Sequence, residues 1–231
     1  MSGYRFRWRV FLVVSLFCLE GYCQSKKPEL LFSENFDDTL NLELWRAEIE
    51  PVGESAVFTR DGQLILNTAG GVTVWFTQKL EGNIRIEYDW TVLVEGEKND
   101  RLSDLNQFWM ATDPPNANLF TRSGKFEDYD SLSLYYVGFG GNSNTTTRFR
   151  KYHGNGEKPL LQEFKDKEHL LKPNHRYHIT IKVEDGRTTF SVDDNVIFDW
   201  NDKSPLRQGY FAFRSTASRH AIDHFRVWKS L

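Results

Sequence analysis

Arg148 and Arg150 stand two residues apart in the run 145–152. In an extended strand both guanidinium groups leave the same side, where together they can grip a carboxylate through paired hydrogen bonds. Tyr135, in the run 131–139, has the chemistry of a general acid or base, provided that a nearby cation lowers its pKa from about 10. Period-two alternation in these two runs and in 105–111 turns Phe108, Met110, Leu132, Leu134 and Phe149 inward. The opposite face then collects Gln107, Trp109, Ser133, Tyr135, Arg148, Arg150 and Tyr152. Aromatic rings suit the apolar C–H faces of sugars, and amides and hydroxyls suit their polar edges.

The expected site therefore has Tyr135, Arg148 and Arg150 as catalytic groups, with Asn106, Gln107, Trp109, Tyr136 and Tyr152 as binding groups beside them. Lys125, Tyr129 and Arg214 are expected to reach in from the rim. Plainer readings stand next to these. The two arginines suit a solvated edge strand, large aromatics are most often core, and a tyrosine is commonly half-buried with its hydroxyl bonded at a rim.

The elements that must position these residues are short apolar runs punctuated by Asp, Asn, Gly and Pro, as in strands joined by turns. Arg60-Asp61-Gly62-Gln63 is the strongest hairpin signal, since Asp-Gly supplies two positive φ angles. The run 83–94 is the clearest strand, with Ile84, Ile86, Tyr88, Trp90, Val92 and Val94 on one side. Two strands are expected around Gly70-Gly71, a short helix within 160–171, a meander from Asn174, and two final strands at 210–214 and 221–228. The long polar segments 95–104 and 112–130 are expected to wall the site, as long loops in compact domains often do. With no repeat and almost no helix, the expected architecture is two packed antiparallel sheets.

The leading residues run from Arg5, Arg7 and Arg9 through an apolar segment to Gly21-Tyr22-Cys23, the layout of a secretory signal peptide ending at residue 23. A short tether at 24–29 and one domain from 30 to 231 follow. The apolar segment is too short for the roughly 20 residues of a membrane span, and bulky Tyr22 disfavours a lipid on Cys23. Cys18 and Cys23 are the only cysteines, so an exported chain has no disulfide. Twenty-nine basic and 32 acidic residues give a net charge of −3, which offers no global attraction to nucleic acid. No histidine pair has metal-ligand spacing. No cofactor is expected, although a structural calcium held by carbonyls with Glu34 or Asp223 stays open.

The order LLFSENFDD, DGQLIL, HITIKVEDGRTTFSVDDNVIFDW, GYFAFRS and HAIDHFRVW resembles the secreted concanavalin A-like jelly-roll families of bacteria, keto-disaccharide hydrolases among them. The central SDLNQFWMATDP and SGKFEDYDSLSLYYVGFGGNSNTTTRFR are similar to a bacterial jelly-roll family without an assigned reaction. Jelly-roll polysaccharide lyases imply a concave sheet carrying a tyrosine acid/base with Asn or Gln and Arg at the uronate carboxyl group, types present here in Gln107, Tyr135, Arg148 and Arg150. The chain lacks the lyase pattern of Gln and His one residue apart, since Gln107 precedes Phe108-Trp109, and it lacks the paired-carboxylate strand of the related glucanases. The resemblance implies an all-β, concanavalin A-like jelly-roll sandwich. The function expected is a monomeric, exported, lyase-like enzyme acting on uronate-containing polysaccharide or oligosaccharide by β-elimination. The alternative is a non-catalytic carbohydrate-binding module, and a base beside a neutralised carboxylate separates the two.

Overall fold

The alternating runs become strands in the computed structural model, which describes Gly3 and residues 27–230. The expected leader, with Cys18 and Cys23, lies outside the described residues apart from Gly3. Antiparallel pairing joins β1 (Glu29–Glu34), β2 (Trp45–Ile49), β3 (Ala56–Arg60), β4 (Gln63–Glu81), β5 (Ile84–Leu93), β6 (Asn106–Thr112) and β7 (Ser133–Gly140). It continues through β8 (Thr146–His153), β9 (Leu160–Phe164), β10 (Arg176–Glu184), β11 (Arg187–Val192), β12 (Asn195–Asn201) and β13 (Gln208–Lys229).

Two long strands make the jelly-roll sandwich. β4 and β13 pair along most of their length and pass from one sheet into the other. The front sheet runs β2, β4, β13, β6, β7, β8, β9, and the back sheet runs β3, β4, β13, β5, β10, β11, β12, with β1 against the end of β13. Separate strands were expected on either side of Gly70-Gly71 and between 214 and 221. Both breaks are instead crossing points within continuous strands. The β13 crossing is a bulge with Ala217 at φ 47°, and a bulge re-aims a strand without ending it. The expected helix within 160–171 is β9 followed by a single turn of 3-10 helix, Lys167–His169. Leu160 to Phe164 pairs along β8, and that pairing overrides local helix preference.

The Asp61-Gly62 turn has φ 54° and 70°, as a tight hairpin requires. The β5 residues Ile84, Ile86, Tyr88, Trp90 and Val92 are buried between the sheets, with Tyr177, Ile179, Ile181 and Phe198 from the back sheet. A second apolar cluster lies on the outer face of the front sheet. There Trp75, Phe108, Leu134, Tyr136, Tyr152 and Ala212 are covered by Leu119, Tyr129 and Leu132 from the segment after β6. The front sheet is thus apolar on both sides, and this governs where the site can be. Among the described residues no helix is long and apolar enough to cross a membrane.

Candidate functional site

Because both faces of β6 and β7 are buried, their alternation carries no direction, and the expected faces are inverted. Gln107, Trp109 and Tyr135 point into the core between the sheets, while Asn106, Phe108, Leu134 and Tyr136 point outward. Met110 also turns inward, at a bulge where its φ is 52°. Arg148, Arg150 and Tyr152 on β8 face outward as expected, with Phe149 inward. The six residues expected to share one cleft are therefore divided between two sides of the sheet. Trp109 stacks on Phe149 and donates from Nε1 to Thr188 Oγ1 at 3.1 Å. Tyr135 donates its hydroxyl proton to Asp202 Oδ2 at 2.5 Å, and burial together with that carboxylate raises its pKa, opposite to the shift a base requires.

The outer face holds an open pocket of about 470 Å³. Its roof is the segment between β6 and β7, pinned by Arg122. That side chain donates to Asp113 Oδ2 at 2.7 Å, Leu119 O at 2.8 Å and Asp128 O at 2.7 Å. Beneath the roof, buried Glu48 accepts from Trp75 Nε1 at 2.8 Å and from the Tyr129 hydroxyl at 2.9 Å. The roof crosses β4 backbone against backbone. A Cβ on Gly71 would lie 2.2 Å from Gly124 O, so only glycine permits this approach. Gly70-Gly71, which resembles a strand break in the sequence, is therefore the seat of the roof.

Arg214 of β13 lies at the pocket floor and is only 3% exposed. Its guanidinium carbon sits 4.4 Å from the centroid of the Phe126 ring. Its Nε has no hydrogen-bond partner among the described residues. Burial lowers its pKa, a shift opposed by nearby Asp104 and tyrosines, but a guanidinium remains protonated in proteins. The pocket therefore contains a buried cation that makes no direct salt bridge among the described residues, with the Asp104 charge near it. Such a group is costly to bury unless something pairs with it.

Beside it, Asp104 precedes β6 and is half-buried. Desolvation raises its pKa above the usual carboxylate range, against hydrogen bonds from Ser103 Oγ at 3.1 Å and from Asn106 Nδ2 and the charge of Arg214. Tyr136 enters from β7, and its pKa is pushed up by burial and then by the Asp104 charge. The two meet over Gly138. A Cβ there would lie 2.5 Å from the Tyr136 hydroxyl and 2.6 Å from Asp104 Oδ2. One wall is a left-handed turn with Asn142, Ser143 and Asn144 at φ 53°, 55° and 60°. Consecutive non-glycine residues in that region are strained, and Asn144 fixes the turn by bonding both backbone groups of Leu171 at 2.9 and 2.7 Å.

Of the expected residues, Asn106, Lys125, Tyr136, Arg148 and Arg214 line this pocket. Arg148 Nε bonds Glu163 Oε1 at 2.6 Å. Tyr152 stacks behind Tyr136, Tyr129 is held under the roof by Glu48, and Arg150 donates to Lys158 O at 2.7 Å. Asp104, Phe126 and Gly138 were missed. Their signals are an acid at the entry to an apolar strand and a glycine inside one, which marks a close approach. Among the described residues no group of three or more His, Cys, Asp or Glu is placed to hold a metal. Glu34 Oε1 accepts from Phe36 N, and Asp223 Oδ1 accepts from His224 N.

The family described as "Domain of unknown function (DUF6250)" matches residues 66–225, and the chain belongs to it. No curated protein matches the sequence. Among solved structures, a Bacillus subtilis protein of unknown function with a galectin-like fold is similar at TM-score 0.71 and 17% identity, over 87% of this chain and 96% of that one. The endo-β-1,3-glucanase of Pyrococcus furiosus aligns at TM-score 0.64 and 9% identity, over 90% and 97%. The carbohydrate-binding module CBM66 of Bacillus subtilis aligns at 0.57 and 13%, over 81% and 96%. At these identities the likeness is one of fold.

Proposed function

We propose that this DUF6250 member is an exported carbohydrate-active protein that seats an acidic sugar unit in the pocket, with the sugar carboxylate against Arg214. The single observation that carries this reading is the buried, unpartnered guanidinium at the floor of an open pocket. A planar carboxylate matches its donor fork, and the Phe126 ring holds its plane. Arg101, Lys125 and Arg148 bring further positive charge to the lining, against Glu50, Asp104 and Glu127. The glycan part of the reading draws support from two fold relatives, described as a carbohydrate-binding module and an endo-glucanase.

In its finer form the reading is a polysaccharide lyase-like enzyme that cleaves uronate-containing glycans by β-elimination. Pairing the uronate carboxylate with Arg214 withdraws negative charge and makes the neighbouring C5 proton removable. Export rests on the leader-like residues 1–23.

Calorimetric titration with uronate-containing disaccharides and their neutral counterparts tests the reading. Binding of the acidic sugars alone, abolished in Arg214→Gln, is the expected result. Equal affinity for neutral sugars, or unchanged affinity in Arg214→Gln, overturns it.

A further inference from the structure

We infer that Asp104 and Tyr136 form a self-resetting base and acid pair for elimination at this pocket, an inference that rests on the acidic-sugar reading above. Their oxygens converge over Gly138, within 2.5 and 2.6 Å of the point that a Cβ would occupy there. Asp104 comes from the segment before β6 and Tyr136 from β7, and both can reach this point only because position 138 has no side chain. Both line the pocket that exposes Arg214. Asn106 Nδ2 and Ser103 Oγ hold the Asp104 carboxylate in place.

The proton balance closes within the pair. With the sugar carboxylate on Arg214, the Asp104 carboxylate takes the C5 proton. The electron pair of that C–H bond becomes the C4=C5 double bond, and the bond from C4 to the glycosidic oxygen breaks. The departing oxygen takes the Tyr136 hydroxyl proton. This leaves Asp104 protonated beside a Tyr136 phenolate, and the proton then passes from the carboxylic acid to the phenolate. That return is downhill, because a phenol ordinarily holds its proton far more tightly than a carboxylic acid and burial pushes Tyr136 up further, while Asp104 rises from a starting value of 3.8. No water, metal or redox partner is consumed. Desolvation also makes Asp104 a stronger base than an exposed carboxylate, as a general base working near neutral pH requires.

The test uses the full chain and uronate oligosaccharides, followed by absorbance of the unsaturated product, with calorimetry on the same samples. Asp104→Asn and Tyr136→Phe should each lower kcat by roughly 10²- to 10⁴-fold, the usual contribution of a positioned proton-transfer group, while uronate affinity stays within about threefold. Retained affinity also shows that the variants are folded. A substrate whose C4 substituent is a 4-nitrophenyl ether loses its leaving group without a proton. On it Tyr136→Phe should return to within about tenfold of the unsubstituted chain, whereas Asp104→Asn should not. Uronate binding without unsaturated product overturns the inference and leaves the binding reading intact. Elimination that survives in either variant to within tenfold also overturns it. Absence of uronate binding defeats the acidic-sugar reading itself.

Discussion

The Arg214 guanidinium lies over the Phe126 ring, 4.4 Å from its centroid, and its Nε has no hydrogen-bond partner among the described residues. On the proposed acidic-sugar reading this arrangement costs stability in the empty protein and contributes affinity in the occupied one, a trade-off common at functional sites.

That trade-off is measurable. Arg214→Met keeps the volume against Phe126 and removes an unpaired buried charge, so it should stabilise the ligand-free protein by about 1–3 kcal/mol. It should also weaken binding of an acidic sugar by roughly 10- to 150-fold, the worth of a charge-assisted hydrogen bond. Chemical denaturation and calorimetry read the two effects. A destabilised variant would mean that the guanidinium has a protein partner.

Gly138→Ala should disable the pocket with little effect on the fold. The new methyl would fall 2.5 Å from the Tyr136 hydroxyl and 2.6 Å from Asp104 Oδ2, so one of the two must move. Overpacking of this kind costs about 1–3 kcal/mol, while product formation should fall at least as far as in Asp104→Asn. Activity within a factor of two of the parent chain would show that the convergence is unimportant.

Asp104 gives the pH dependence a defined sign. A carboxyl group whose folded pKa is raised holds its proton more tightly in the native state. Its contribution to stability is therefore present below the ordinary value of 3.8 and is lost as pH rises toward the raised one. Asp104→Asn should gain stability relative to the parent chain as pH climbs through that window, and the difference should level off above it. Denaturation midpoints of the two proteins from pH 3 to 8 check this. A gap that shrinks with rising pH contradicts it.

His220 should behave in the opposite manner. It is fully buried, accepts from Trp90 Nε1 at 3.0 Å and contacts Ser215 Oγ at 2.8 Å, and burial lowers its pKa to about 3. The unfolded chain takes up this proton below 6.5 and the folded one does not, so stability falls as pH drops from 6.5 toward 3. Proton NMR should show a ring signal that does not move between pH 8 and 5. A midpoint near 6.5 would place the ring in solvent.

Much of the fold was legible because one face of β5 and β10 is core and the other is wet. Ile84, Ile86, Trp90, Ile179 and Ile181 could therefore be assigned from alternation alone. At β6 and β7 the same reading gave the wrong face. Trp109 and Phe108 are equally apolar neighbours, and which one meets the opposite sheet depends on the roof over the outer cluster, a contact between segments distant in sequence. Arg148 and Arg214 were found because a cation in an apolar strand is conspicuous. Asp104 and Gly138 were not, because their significance lies in a meeting across two strands. Gly70-Gly71 and the stretch 215–220 look like interruptions, since a sequence does not distinguish a strand that ends from one that bends into a second sheet.

The most direct test of the central claim is a crystal structure of the protein with a uronate-containing disaccharide. The account predicts the sugar carboxylate within about 3 Å of the Arg214 Nη atoms, the range of charge-assisted N–H···O bonds, with the sugar between Phe126 and Tyr136. A disaccharide bound elsewhere, or in this pocket with its carboxylate turned away from Arg214, would contradict it.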